Sequence, residues 1–468
     1  MEKKSERKWI AHVLVLPFPV QGHINPMLQF SKRLVSKGLK VTIAISHFIT
    51  KTSQFDFEDD SLGSLTFESF SDGCDQGGIY EPESFKIYLE RFETIGSRSI
   101  AKLIEKLDKL GDSVIKCLVY DSVIPWALDL AKGHDLKGAS FFTQSCAVDV
   151  IYYNVHRGLL SAPVKESTVS LPGLPLLELQ DLPSYVCDWV SDPVSLDLVL
   201  SQFSNIENAD WLLFNTFHKL ESEVVKWVAE VIRIKTIGPT VPSAYLDNRV
   251  AGDKNYGLNL FKSTGDTCIN WLNTKDTGSV IYVSFGSVVI LEENQMKEIA
   301  LALKTTGHYF LWVVREKEER KLPTHFKDEI SDKGLVVTWC PQLEVLAHRA
   351  IRCFVSHCGW NSTLEALSLG VPIVGLPRNS DQTTNAKFIE SIWDVGVRAK
   401  KDEKGVVRRD EIEKCVREVM VGERAAKVKG NARKWRDLAK EAVDEGGSSD
   451  RNIDEFVATL VGNSCNRS

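Results

Sequence analysis

Apolar residues fall along this chain in short continuous runs, separated by stretches where they recur every three or four positions. Residues 11–16 form a continuous apolar run, the pattern of a strand buried on both faces. Asn25 and Pro26 then read as a helix cap and first helical residue, followed by an apolar stripe at Met27, Leu28, Leu34 and Val35. Gly38 ends that helix, and residues 40–46 read as the next strand. Strands at 114–120 and 139–142 follow, with a helix at 125–131 between them. A second alternating series begins near Val280, with strands at 280–285, 310–314, 335–338, 353–356 and 372–375. Strands alternating with helices predict parallel α/β sheets, and two such series predict two of them. Between the series, residues 238–266 lose apolar periodicity and collect Pro, Gly, Asn and Asp, the character of a linker. A Gly-Gly-Ser-Ser break near the end precedes a short amphipathic helix.

The irregular stretches 50–64, 71–83 and 160–192 are long loops of the kind that select ligands on a rigid sheet. In open α/β sheets, ligands bind beyond the carboxyl ends of the strands. His23, Asp121, Thr143-Gln144, Ser284 to Ser287, Trp339, His357 to Ser362 and Asp381-Gln382 all fall at such ends.

Length and composition bound the function. A chain of 468 residues is too long for one typical domain. Hydrophobic residues at 43% and charged residues at 26% are an ordinary globular balance. A net charge of −6, with no basic block, gives no footprint for nucleic acid. The ten cysteines are scattered singly, with neither a C-x-x-C pair nor zinc spacing, so free thiols in a reducing compartment are expected. The charged start followed by an apolar run resembles a signal peptide. Two prolines and the absence of a small-residue cleavage site make it a first strand instead. No uninterrupted apolar stretch reaches the ~20 residues of a membrane span, so a cytosolic protein is expected.

The stretch from Trp339 to Gln382 reads as a ligand site in linear order. Trp339 puts an aromatic face at the end of a strand. Gly359 lets the backbone approach a ligand, and Asn361 or Ser362 can cap the following helix. The first amides of that helix suit a phosphate. Glu365 can accept bonds from two ribose hydroxyls, and Asp381-Gln382 can hold sugar hydroxyls. Together they describe a nucleotide-sugar. His23, after the first strand, can act as a general base on an acceptor hydroxyl, and Asp121 can orient it. The remaining histidines, at 12, 47, 134, 156, 218, 308, 325 and 348, are expected to be structural or solvent-exposed.

That stretch, W-C-P-Q through H-C-G-W-N-S and E to D-Q, is similar without insertion to the signature box of plant family-1 UDP-dependent glycosyltransferases. The rest of the chain, from Ile10 to about Val461, resembles the same family. The resemblance implies two facing Rossmann-like domains, the GT-B glycosyltransferase fold. Residues 1–240 would bind the acceptor, 241–265 would be the linker, and 266–450 would bind the UDP-sugar. Residues 451–468 would form a helix packing back on the first domain. It implies the His23–Asp121 dyad. Trp339 would stack on uracil, Gln342 would bond the uridine and Glu365 the ribose. Thr143, Trp360, Asp381 and Gln382 would contact the sugar. The diphosphate would meet the helix amides, His357, Ser362 and the Gly286-Ser287 turn. Ser284, Cys340, Gly359 and Asn361 complete the implied donor site. Direct attack would invert the anomeric centre. Gln382 is the residue the family associates with glucose, where galactose users carry His, so UDP-glucose is the expected donor. No metal or other cofactor is expected, and the protein is expected to be a monomer.

One departure stands out. Two places before Asp381-Gln382 the family has an aromatic residue, often Trp; here Asn379 stands there. The acceptor pocket is expected around Phe18, Phe92, Phe141, Tyr185, Phe203 and Asn379, lined for a hydrophobic small molecule. The segments 143–146 and 238–243 are similar to a branch glucosylating small carboxylic acids, phenolics, thiohydroximates and triterpenoid or steroid alcohols. A nicotinamide dehydrogenase would carry G-x-G-x-x-G and an α/β-hydrolase G-x-S-x-G; neither occurs. The alternative is a protein that binds a UDP-sugar without catalysis.

Overall fold

The computed structural model describes residues 11–53, 63–110, 113–188, 192–257 and 265–462. The charged residues 1–8, part of the linker (258–264) and the last six residues of the terminal segment lie outside the described residues. Fifteen strands are described: β1 His12–Leu16, β2 Lys40–Ser46, β3 Leu65–Phe70, β4 Ile115–Asp121, β5 Lys137–Phe142, β6 Thr168–Val169, β7 Leu177–Glu178, β8 Trp211–Phe214, β9 Ile234–Thr236, β10 Val280–Ser284, β11 Tyr309–Val313, β12 Gly334–Val337, β13 Ile351–Ser356, β14 Ile373–Gly375 and β15 Gly396–Arg398.

They form two parallel sheets and one small antiparallel hairpin, β6–β7. The first sheet has the order β3-β2-β1-β4-β5-β8-β9, and the second β12-β11-β10-β13-β14-β15. Each is doubly wound, with the strand order reversing between β1 and β4 in one and between β10 and β13 in the other. Burial of β1, β10 and most of β4 explains their largely apolar runs, because helices cover both faces; His12 in β1 bonds Thr42 Oγ1, and Lys116 takes the one half-buried position of β4.

The first helix corrects the sequence reading. It spans Gln21–Ser36, with extended Val20 preceding it, so Pro26 lies inside it and Asn25 is not its cap. His23 therefore stands in the first helical turn. The signature helix, Trp360–Leu369, likewise starts early: Gly359 is its cap residue, and neither Asn361 nor Ser362 caps it with a side chain.

The last helix, Ser448–Gly462, leaves the second sheet and packs on the first. Ile453, Phe456 and Leu460 join the core formed by β1, β2 and the helix Gln21–Ser36. The Phe456 ring lies 5.9 Å from Phe30 and 5.4 Å from Trp211. Burying one such ring stabilises the contact by about 1.5–3 kcal/mol. Ser449 Oγ donates to the Gly238 carbonyl, and Lys37 pairs with Asp450. No helix among the described residues is long and apolar enough to cross a membrane. No disulfide is formed among the nine described cysteines.

Candidate active site

Both switch points carry chemistry. At the first, the loop after β1 enters the helix bearing His23, and β4 ends on Asp121. The two carboxyl strand ends lie side by side, and His23 Nδ1 meets Asp121 Oδ2 at 2.7 Å. Asp121 is fully buried, while the His23 side chain keeps 27% of its surface exposed. Thr143, just beyond β5, sits 3.3 Å from the same Nδ1. Nε2 has no hydrogen-bond partner among the described residues. Burial works against the imidazolium. The charge and hydrogen bond of Asp121, with the charge of Asp381, outweigh it and raise the His23 pKa.

At the second switch point lie Ser284, the last residue of β10, with Gly286 and Ser287 after it, and residues 357–359 leading from β13 into the helix Trp360–Leu369. His357 is wedged between two glycines. A Cβ on Gly359 would stand 2.4 Å from His357 Nε2, and one on Gly286 would stand 2.9 Å from Cε1. Gly286 also takes φ +71°, a backbone that L side chains rarely adopt. Burial drives the His357 pKa down to about 4, against a backbone hydrogen bond at Ser284 that raises it, so the ring is neutral. Its Nδ1 is buried without a partner.

A cavity of about 460 Å³ runs from here between the sheets. Trp339, Cys340, Gln342, Ser362 and Glu365 line one wall, with Ser284, Gly286 and Ser287 beside them. Gln21, Gly22 and Asn25 of the first domain line the other. Asn361 Nδ2 donates to the Gly22 carbonyl at 2.6 Å and so ties the signature helix to the helix of His23.

Glu365 is buried, and burial pushes its pKa up to about 7 against the bonds from Gln342 and Tyr256. Asp381 is also buried and pushed up to about 6, opposed by Asn385. It lies close enough to His23 for their charges to act on each other. Gln382 Oε1 accepts from the Arg378 and Asn379 amides at 2.9 and 3.3 Å, and its Nε2 donates to Asn379 Oδ1 at 3.0 Å. Asn379, in place of an aromatic, thus holds the neighbouring Gln382 side chain; it is exposed.

Several expectations need correction. The Gln342 side chain has only a second acceptor position on Oε1 left for a uridine. Tyr282 donates to its Oε1, and its Nε2 donates to Ser362 Oγ and Glu365 Oε2, so its two N–H groups are used inside the protein. The Trp360 indole is turned into the core, donating to the Asn215 carbonyl at 2.7 Å and lying 6.1 Å from Trp393. Phe141 and Phe203 are core, not pocket. Phe141 packs on Phe30, and Phe203 on Phe142 and Tyr153. Phe18 does stand by the dyad, 5.6 Å from the His23 ring and 5.8 Å from Phe92. Phe92 is itself buried, and half-buried Trp126 packs on it edge-on at 5.4 Å. Tyr185 is half-buried beside Ser380.

Sequence reasoning missed Trp126 and the linker tyrosines. Trp126 opens the helix after Asp121, a position that marks it in retrospect. Tyr245 and Tyr256 line the cavity from the linker, and Tyr256 bonds Glu365. No periodicity signals them.

Two doubly wound sheets, with a cleft lined from both switch points, define a GT-B glycosyltransferase. Comparison with known proteins says which. Residues 258–433 match the family described as UDP-glucoronosyl and UDP-glucosyl transferase, and residues 10–239 match a glycosyltransferase N-terminal domain. A Mogroside I-E synthase of Siraitia grosvenorii is 49% identical over 96% of this chain and 98% of its own length. The flavonol 7-O-beta-glucosyltransferase UGT74F1 of Arabidopsis thaliana is 47% identical over 97% and 99%. The crystal structure of Os79 from O. sativa in complex with UDP superposes with a TM-score of 0.90 at 39% identity, covering 96% of this chain and all of that one. The chain belongs to the plant UDP-glycosyltransferases and is a glycosyltransferase using a UDP-sugar.

Proposed function

We propose that this enzyme moves glucose from UDP-glucose to a hydroxyl or carboxyl of a hydrophobic small molecule, inverting the anomeric centre to give a β-glucoside. The observation that carries this reading is the 2.7 Å His23–Asp121 pair, with His23 on the helix whose Gln21, Gly22 and Asn25 line the cavity that Trp339 and Glu365 share. The acceptor oxygen gives its proton to His23 Nε2 and attacks C1 of the sugar. The bond from C1 to the diphosphate oxygen breaks, and UDP leaves with the electron pair. Asp121 stabilises the imidazolium so formed.

The leaving diphosphate is a weak base and needs no proton. Its charge is met by the open amides of the helix Trp360–Leu369, the Ser362 hydroxyl and the neutral His357. Trp339 stacks on the uracil, Glu365 takes the ribose, and Asp381, Gln382 and Thr143 face the sugar. No metal is required for this scheme. The aromatic cluster of Phe18 beside His23, with Phe92 behind it and half-buried Trp126 packed on Phe92, favours an apolar acceptor, as do the names of the relatives, a mogroside synthase and a flavonol glucosyltransferase.

The test is incubation of the whole chain with UDP-glucose and a panel of phenols, carboxylic acids and triterpenoid alcohols, read by mass spectrometry. Glucosides of at least one class are expected. No UDP release with any acceptor would favour a binding protein without catalysis. UDP-galactose and UDP-xylose in the same assay should turn over more slowly than UDP-glucose; a preference for either overturns the reading of Gln382.

The dyad sets a pH dependence. His23 must be neutral to act, and its pKa is raised, so turnover of a hydroxyl acceptor should fall on acidification from above the ordinary imidazole value of about 6.5. Asp121→Asn removes the countercharge and leaves burial in control. The acid limb of kcat/KM should then move to lower pH while its plateau drops. A limb that stays in place in this variant contradicts the dyad.

A further inference from the structure

Among the described residues no cation pairs with Glu365; neutral donors hold it. Tyr256 donates its hydroxyl to Oε1 at 2.9 Å, and Gln342 donates to Oε2 at 2.7 Å. A carboxylate oxygen can accept two bonds, so each oxygen keeps one position open. Two open positions on one fixed carboxylate fit a pair of neighbouring hydroxyls.

Tyr256 is held from behind. Asp253 accepts from Gln29 Nε2 at 3.3 Å, Lys32 Nζ at 2.8 Å and the Ser243 amide at 2.7 Å. The Asn255 carbonyl accepts from Gln29 and Lys32 at 3.2 and 2.8 Å. Gln29 and Lys32 belong to the helix that carries His23. One short stretch of linker therefore bolts onto the first domain and reaches across the cavity to the carboxylate of the second.

We propose that Tyr256 is a positioning residue for the donor nucleoside: it fixes Glu365 to receive the ribose diol, so that preference for ribose over 2′-deoxyribose depends on the linker. This rests on reading Glu365 as the ribose group, and the experiment separates the two claims. Without the phenol hydroxyl, Oε1 loses its tie. The carboxylate then turns among orientations, only some of which meet both sugar hydroxyls.

Calorimetric titration of the full chain with UDP and with 2′-deoxy-UDP, for wild type, Tyr256→Phe and Glu365→Ala, decides it. Phe keeps the ring that packs against the core. Wild type should bind UDP about tenfold tighter than 2′-deoxy-UDP. In Tyr256→Phe, UDP binding should weaken about five- to tenfold while 2′-deoxy-UDP hardly changes, which brings the ratio towards one. With UDP-glucose the loss should appear in the donor KM and leave kcat near wild type. Equal weakening of both nucleotides, or an unchanged ratio, in Tyr256→Phe overturns the proposal. If the ratio is lost in Glu365→Ala yet kept in Tyr256→Phe, Tyr256 alone is misread. If Glu365→Ala keeps the ratio too, the ribose assignment falls with it.

Discussion

Replacing His23 with alanine is expected to lower kcat on a phenol or alcohol acceptor by about 10²–10⁴-fold, the usual worth of a positioned general base. The affinity for UDP should not change, because the imidazole contacts none of the groups that hold the nucleotide in this account. The loss arises from charge. A neutral hydroxyl is a poor nucleophile, and its proton must leave as the new bond forms. His23 offers Nε2 for that proton, and the buried Asp121 carboxylate, 2.7 Å from Nδ1, receives the positive charge on the ring. A carboxylic acid acceptor arrives already ionised, so its glucosylation should fall far less. Steady-state rates on a matched phenol and carboxylic acid measure both effects. Equal losses on the two acceptors would make His23 a packing residue.

Gly359→Ala should be nearly as severe, and through the donor rather than the acceptor. The added methyl would stand 2.4 Å from His357 Nε2, closer than real atoms approach. The same edge of the ring also lies close to Gly286, where a Cβ would stand 2.9 Å from Cε1 and 3.0 Å from Nε2. His357 or the start of the signature helix must shift, and both are aimed at the leaving diphosphate. Losing one such preorganised donor lowers turnover by about 10²–10³-fold. UDP affinity, measured by calorimetry, should fall as well, with the melting temperature little changed because the site lies at a cleft edge. Wild-type UDP affinity in this variant would show that the diphosphate lies elsewhere.

The sheets were legible because buried parallel strands carry largely apolar runs, and β2 reads at its structural bounds. His23 and Asp121 were legible because ligands gather at strand ends, and the switch-point rule brings those two ends together. The helix starts were not. Asn25-Pro26 is a good local cap, but the chain turns into the helix at Gln21 so that Ile24, Met27 and Leu28 can reach the core. Residue type also cannot say where a polar side chain spends its bonds. Gln342 looked like a ligand group and instead connects Tyr282, Ser362 and Glu365. Trp360 looked like a sugar contact and Phe141 like an acceptor wall, yet which way an aromatic points is decided by packing partners far away in sequence. Trp393 and Asn215 take Trp360, and Phe30 takes Phe141. Tyr256 was hidden for the opposite reason. It lies in a polar linker without periodicity, and only the folded chain brings it to Glu365.

The most direct test is a crystal structure of the enzyme with a fluorinated, unreactive UDP-glucose and a phenolic acceptor. The account predicts uracil against Trp339, ribose hydroxyls on Glu365, and the acceptor oxygen about 3 Å from His23 Nε2, facing C1 from the side opposite the diphosphate. An acceptor oxygen that reaches C1 without His23 in range, or a uridine bound away from Trp339 and Glu365, would contradict it.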